Sequence, residues 1–399
     1  MSLIKKKQSK LFKINNSDKI VQKSSDAFPF EDQEKELFEI DMEKEQHLLT
    51  ENEQRFIEAY QSDRRKNRWI LVLSLVVLFV VVLISFMLGR YSVTPVTVIK
   101  ILVGQFVPID QTWEDIYETV VLKVRVPRIL AALAVGGSLA VAGASYQGLF
   151  RNPMVSPDLL GASAGASVGA CGMMLFNQTG AAVTASAFVM GIAAVALSYF
   201  LSKAVGKGGN MVLLLVLCGM TVKTLFTAIV SIIKYLADTE EQLPAITYWL
   251  MGSIAKVSYT DLAFFVIPFL IGVIPLMALR WKLNILSFGE DEARALGIDV
   301  KKIRLICIIC ATLLTASVVS IAGEIGWVGL MIPHLVRFMV GPNNKKLLPM
   351  SLIVGAVFML IVDNFCRTLL AYEIPLGVLT SLIGAPFFIF ILYKGRSRA

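Results

Sequence analysis

The sequence predicts an all-α membrane protein of about ten transmembrane helices, and three observations carry that expectation. Apolar residues fill 56% of the 399 positions, 17% are charged and mean hydropathy is +0.68; soluble domains sit near half apolar and about a quarter charged. The apolar residues gather into runs of roughly 20, the length a helix needs to cross a hydrocarbon core of about 30 Å. The short alternating segments of a membrane β-barrel are absent, and a helix satisfies its own backbone where there is no water.

Taken in order, residues 1–68 read as a cytoplasmic N-terminal tail, partly disordered or helical. It opens basic (Lys5, Lys6, Lys7, Lys10, Lys13), turns acidic from Asp26 to Asp63, and closes on Arg64, Arg65, Lys66 and Arg68. No apolar run suited to a signal peptide precedes Trp69. Leu37, Phe38, Leu48, Leu49, Phe56, Ile57 and Tyr60 offer patches of an amphipathic helix. A solvated tail is the plain reading, and a docking segment for a partner protein is the alternative.

Spans follow near 69–89, 128–149, 159–176, 181–201, 211–234, 260–280, 303–322, 326–340, 348–369 and 376–393. With the Arg64–Arg68 cluster inside, alternation places Arg151, Lys203, Lys207, Arg280 to Lys302, Lys345, Lys346, Lys394, Arg396 and Arg398 in the cytoplasm. The acidic stretches Asp110–Glu118 and Asp238–Glu241 fall outside. The net charge of +8 is thereby read as the positive-inside rule and not as a nucleic-acid signal. Arg125 and Arg128 are the exceptions, on the outside.

All five cysteines lie in apolar segments, and the Cys307–Cys310 pair is read as helix packing because no second pair accompanies it. Two histidines are too few for a histidine-rich metal site. A faint repeat sets Ala142-Gly143 ahead of Pro153, and Ala322-Gly323 ahead of Pro333 at the same distance. Gly161, Gly165 and Gly169 share one face at helical spacing, which lets a neighbouring backbone come close; Gly136, Gly137 and Gly143 do the same one helix earlier.

The loop at about 287–300 holds a short amphipathic helix bounded by Gly289 and Gly297, too charged for lipid and suited to a cleft in a soluble partner; a plain surface helix is its alternative. No phosphate-binding G-x-x-x-x-G-K-[ST] loop occurs, and Lys207 in its Gly-Lys-Gly-Gly stretch has the wrong spacing. If ATP drives the protein, the ATPase is another polypeptide. No paired carboxylates or nucleophile–base arrangement suggests an enzyme, so no catalytic residue, metal site or cofactor is assigned to this chain.

Several stretches carry a resemblance: Val124-Arg-Val-Pro-Arg128, Gly143-Ala-Ser-Tyr-Gln-Gly-Leu-Phe-Arg-Asn-Pro153, Pro157-Asp-Leu-Leu-Gly161, Gly289-Glu290 with Ala295-Leu-Gly297, and Gly326-Trp-Val-Gly-Leu-Met-Ile-Pro-His-Leu-Val-Arg337. Leu347-Leu-Pro349, Pro375-Leu-Gly-Val-Leu-Thr380 and Gly384-Ala-Pro-Phe-Phe388 complete it. In this order, over residues 70–394, they resemble the permeases that import iron–siderophore complexes, haem and vitamin B12. The tail is longer than that family usually carries.

The resemblance implies a type II ABC importer permease fold over residues 69–394. It implies a second permease subunit, identical or paralogous, two ATPase subunits that use the ATP, and an external substrate-binding protein. Gly289, Glu290, Ala295, Leu296 and Gly297 match the coupling to the ATPase, and Asn152 and Met154 a cytoplasmic gate. Arg125, Arg128 and Arg367 match outward arginines that dock the binding protein, which would account for the positive-inside exceptions; anchoring at the headgroup layer is the alternative. His334 is read as a packing residue. The expected location is the cytoplasmic (inner) membrane, with many passes and the N-terminus inside.

Lys223 departs from the family pattern, about 12 residues into the 211–234 span. A lysine at mid-bilayer costs on the order of 2.5–3.5 kcal/mol on insertion scales, so it should face protein or water. In the family this helix lines the translocation path, so the expectation is a positive wall favouring anionic cargo; the alternatives are a structural acid such as Asp363, or snorkelling. Ferric siderophore is the first cargo, with haem and cobalamin as competitors. A secondary transporter is a further class, with only Asp363 and Glu324 to serve as ion sites; a receptor or channel would lack the coupling segment.

Overall fold

The computed structural model describes residues 65–89, 91–108, 110–206 and 211–396, and every regular element among them is helical. Of the expected tail only Arg65 to Arg68 fall within the described residues, and Lys207 lies outside them. In chain order the helices are α1 (Arg65–Met87), α2 (Pro95–Gly104), α3 (Asp115–Phe150), α4 (Ala162–Leu175) and α5 (Ala181–Val205). Then come α6 (Met211–Leu236), α7 (Gln242–Leu250), α8 (Tyr259–Leu286) and α9 (Glu290–Ala295). The last are α10 (Val300–Ala322), α11 (Val328–Val340), α12 (Asn344–Thr368) and α13 (Leu376–Arg396).

Seven of these (α1, α3, α5, α6, α8, α10 and α12) are long and apolar enough to cross a membrane. The shorter apolar α4, α11 and α13 fall on the other three expected spans. The short helices α2 and α7 have no counterpart in the sequence expectation.

Local chemistry sets most boundaries. Thr94 accepts the Thr97 N–H at 3.3 Å, with Pro95 opening α2 where its missing N–H is no loss. Ser258 and Asp261 form a reciprocal capping box on α8. Asp299 and Asn343 cap α10 and α12 through the N–H groups of Lys302 and Lys345, each at 3.0 Å. Helix α3 begins well before the expected Arg128: Thr119–Arg125 forms a π-helical stretch ahead of Pro127, and Arg151 ends the helix in the left-handed region at φ +52°.

The centre of the bundle is α3, buried along most of Val126–Phe150 and packed by α8, α10, α11 and α12. Lipid offers no hydrophobic drive for helix association, so contact comes from close backbone approach. A Cβ on Gly136 would stand 2.1 Å from the Gly355 carbonyl oxygen, and one on Gly143 would stand 1.7 Å from that of Gly329. The expected stripe on α4 is partly corrected. Gly165 and Gly169 do lie against the carbonyls of Met190 and Ser186 on α5, but Gly161 precedes the helix at φ +85° and faces Lys223 on α6 instead. The faint repeat does not pair equivalent positions, since Gly143 is inside α3 whereas Gly323 terminates α10 at φ +68°.

Two irregular segments explain why α4 and α11 are short. Fourteen residues of helix reach only about 21 Å, and segment 151–161 runs up into the bundle from one end before α4 starts. Segment 323–327 enters from the opposite end before α11. The first of them meets the start of α11, just after the second, where the Pro157 ring abuts Gly329. Gly355→Val should drive a side chain into the α3 backbone and lower stability by about 1–3 kcal/mol or more, read as a lower melting temperature of the purified protein in detergent; an unchanged melt would overturn the close-packing account.

Candidate functional site

One end of the bundle carries Arg125, Arg128 and Arg367, and here the structure corrects the expectation of exposed cations. They are only 3%, 5% and 8% exposed. Arg128 donates through Nε to Asp363 at 2.9 and 3.2 Å, and through its Nη1 to Glu373 at 2.9 Å. Asp363, fully buried, also forms an ion pair with Arg367, whose Nε lies 3.2 Å from Oδ2. The Arg125 guanidinium donates to the carbonyls of Phe86 and Tyr91, and Arg367 reaches that of Leu88 at 3.4 Å and Asn364 beside it. The positive-inside exceptions are thus neutralised by distant carboxylates and by carbonyls at and beyond the end of α1. Sequence reasoning missed this because the acids lie 235 and 245 residues from Arg128.

At the other end α9 is a single short helix between Gly289 (φ +144°) and Gly297 (φ +76°). Glu290 receives Arg294 at 3.0 Å one turn on, and also pairs with the buried Arg304 of α10. Ala293 is buried against the bundle, while Phe288 and Leu296 are 77% and 67% exposed. The arrangement is an anchored helix with free apolar side chains on either flank; Ala295 ends it. A groove of about 1060 Å³ opens beside it, lined by Arg151, Lys203, Glu290 and Arg304 among others.

Asn152 and Met154 lie exposed at the start of segment 151–161, where Asn152 Oδ1 accepts the Met154 N–H at 2.9 Å. Farther in, Gln147 of α3 donates to the carbonyls of Val155 at 3.4 Å and Leu330 at 3.2 Å, and accepts from Arg337 at 3.0 Å. One amide therefore ties segment 151–161 to the first turn of α11 and gives the non-helical Val155 carbonyl a partner where water is absent. His334 packs edge-on against Phe338 with ring centroids 5.0 Å apart. Cys307 and Cys310 are buried free thiols in the core around α10.

Lys223 finds its partner in Asp158, with Nζ 2.6 Å from Oδ2. The alternative partner Asp363 is ruled out, being taken by Arg128 and Arg367. The other Asp158 oxygen accepts the Ser163 N–H at 2.7 Å, capping the start of α4. The lysine side chain remains 47% exposed, and Glu324 interacts electrostatically with both members of the pair. The signal for Asp158 was present in the sequence as a mid-span lysine needing an acid, but several acids competed for the role.

The sequence matches the FecCD transport family over residues 77–394. It is 41% identical over 317 residues, 79% of this chain and 93% of the relative, to the molybdate import system permease protein MolB of Haemophilus influenzae. It is 38% identical over 279 residues, 69% of this chain and 83% of the relative, to a probable iron chelatin transport system permease protein of Helicobacter pylori. Among solved structures, an inward-facing conformation of a putative metal-chelate type ABC transporter superposes with a TM-score of 0.73 at 40% identity, covering 82% of this chain and 99% of that one.

The ion-pair geometry sets the expected effect of substitution at the Arg128 end. Asp363→Asn removes the carboxylate that Arg128 and Arg367 share, leaving Arg128 with Glu373 and Arg367 with no carboxylate, and should destabilise the protein by about 3–5 kcal/mol. Glu373→Gln, at a side chain one-third exposed, should have a much smaller effect. Equal melting temperatures for the two variants in detergent would overturn the assignment.

Proposed function

The chain belongs to the FecCD transport family, and on that premise we propose that it is the permease subunit of an ABC importer whose cargo is a ferric siderophore. The observation that carries the importer reading is the anchored α9 element. Glu290 and Ala293 hold it to α10 and the core, and Phe288 and Leu296 stand free to enter a groove on an ATPase subunit. Closure of two such subunits on ATP would move α9 and, through the Arg304–Glu290 pair, lever α10 and the contact at Gly329.

In this reading the α9 end is cytoplasmic, the N-terminus is inside and the protein sits in the cell membrane. A second permease subunit completes the path along the exposed face of α6, and Asn152 and Met154 line its cytoplasmic exit. An external binding protein docks at the opposite end, where Arg125, Arg128 and Arg367 act as the buried scaffold of the docking face. The chain binds no cofactor of its own; ATP belongs to the partner ATPase.

A second cargo is favoured by a specific observation. The relative at 41% identity is named for molybdate, and a half-exposed lysine on α6 suits an oxyanion as well as an anionic ferric chelate. Uptake of labelled ferric tris-catecholate, molybdate, haem and cyanocobalamin by the reconstituted transporter decides the cargo. Ferric chelate uptake supports the first reading, molybdate alone replaces it with the second, and haem or cobalamin alone removes both. Replacing residues 289–297 by a flexible Gly–Ser linker should abolish co-purification of the ATPase and with it uptake; retained association would sink the coupling role.

A further inference from the structure

Helical spacing puts Lys223, Thr227 and Ser231 on one line of the exposed arc of α6, with Thr224 beside them and the exposed Leu213 and Met220 interspersed, while Leu217, Leu225, Ile232 and Leu236, with Thr221 among them, make up the rest of the exposed surface. The opposite face, with Leu215, Gly219, Val222, Phe226, Val230 and Ile233, is buried against the bundle. Thr224, Thr227 and Ser231 each donate to the carbonyl four residues back, at 3.0, 2.8 and 3.1 Å. Lys223 stands 12 residues after the helix start in a helix of 26, hence about 18 Å from either end. A charged lysine with a half-exposed side chain at that depth would be expensive facing hydrocarbon, so the line that carries Lys223 faces water.

The two halves of the Lys223–Asp158 pair are not equally committed. Asp158 keeps the Ser163 N–H and the favourable start of α4 whether or not the lysine is present. Among the described residues Asp158 is the one carboxylate within ion-pair distance of Lys223, and no second hydrogen bond holds the ammonium. The lysine is therefore the partner that can change hands. Glu324, the further carboxylate acting on both, tightens the demand that the site carry a positive charge.

We propose that Lys223 is a specificity-determining residue whose ammonium leaves Asp158 to hold an anionic cargo in transit, oxyanion or anionic metal chelate, and returns to Asp158 when the cargo has passed. This rests on the importer reading above. In that cycle the carboxylate keeps the lysine positioned between passages, so the empty path never exposes an unpaired charge at mid-membrane. A neutral cargo gains nothing from the exchange and must break the pair uncompensated.

The test uses the full transporter, with ATPase and binding protein, reconstituted in vesicles, and labelled molybdate and ferric tris-catecholate as probes. Lys223→Met should lower uptake of the transported anion about tenfold, the loss of one charge-assisted contact. The neutral pair Lys223→Met/Asp158→Asn should lose as much, whereas Lys223→Arg, which keeps the positive charge, should keep most of the uptake. A neutral pair that transports like the wild type would mean that the pair is structural and overturns the proposal.

A second readout needs no cargo. In a Cys218→Ser background, Lys223→Cys should react with a water-soluble methanethiosulfonate reagent in the assembled transporter, and failure to label overturns the proposal. Wild-type vesicles that take up neither probe overturn the cargo reading instead, and the labelling result separates the two failures.

Discussion

Two stretches of irregular backbone enter this bundle from opposite ends, and the contact of the first with the helix that follows the second, Pro157 on Gly329 of α11, depends on the missing side chain of that glycine. Non-helical backbone at membrane depth survives only where protein groups replace the missing water. Gln147 does this for Val155 while also reaching the Leu330 carbonyl in the first turn of α11, and Ser198 donates to the Leu160 carbonyl at 3.0 Å. Because α3 is packed on all sides by other helices, with Gly136 and Gly143 against neighbouring backbones, the amide of Gln147 is carried on a helix that has little room to move. The segments are thus held by a rigid centre while their own ends reach the surfaces.

That arrangement links the ends to the middle. Segment 151–161 passes the exposed Asn152 and Met154, then Pro157, and carries Asp158 with the lysine of α6 upon it before α4 begins. Segment 323–327 follows α10, whose far end is tied to α9 through Arg304 and Glu290. Displacement of α9 therefore has a continuous packed route to the mid-membrane contact. The opposite end is stiffened by the Arg128–Asp363–Arg367 cluster, which joins α3 to α12 and, through Arg367 and Asn364, to α1.

Most of the fold was legible before any coordinates. Ten apolar runs fall on ten helices because a helix in lipid is dictated by composition and length alone. The two missed elements, α2 and α7, are short, and the first depends on a threonine cap and a proline, signals that are common in loops. The boundaries of α4 and α11 were misjudged for a different reason: the apolar runs continue through Leu159 and Gly326–Trp327, but those residues pack as loop. The candidate site was legible in part. Gly289 and Gly297 marked α9 through their spacing, and both adopt positive φ. The roles of the arginines were not legible, since an isolated arginine looks the same whether its partner is outside or 235 residues along the chain.

The sequence by itself determined that this is a polytopic helical protein, where its spans lie and that a mid-span lysine had to be accommodated. Each of those follows from local composition, because hydrocarbon penalises an unsatisfied polar group wherever it stands. Only the tertiary structure decided which acid answers which base: Asp158 for Lys223, Asp363 and Glu373 for Arg128, Glu290 for Arg304. Pairing of charges depends on distances of about 3 Å between side chains on different helices, and no periodicity along the chain encodes those distances. Ten apolar runs thus became ten helices, with two of them, α4 and α11, shortened by irregular backbone packed into the bundle.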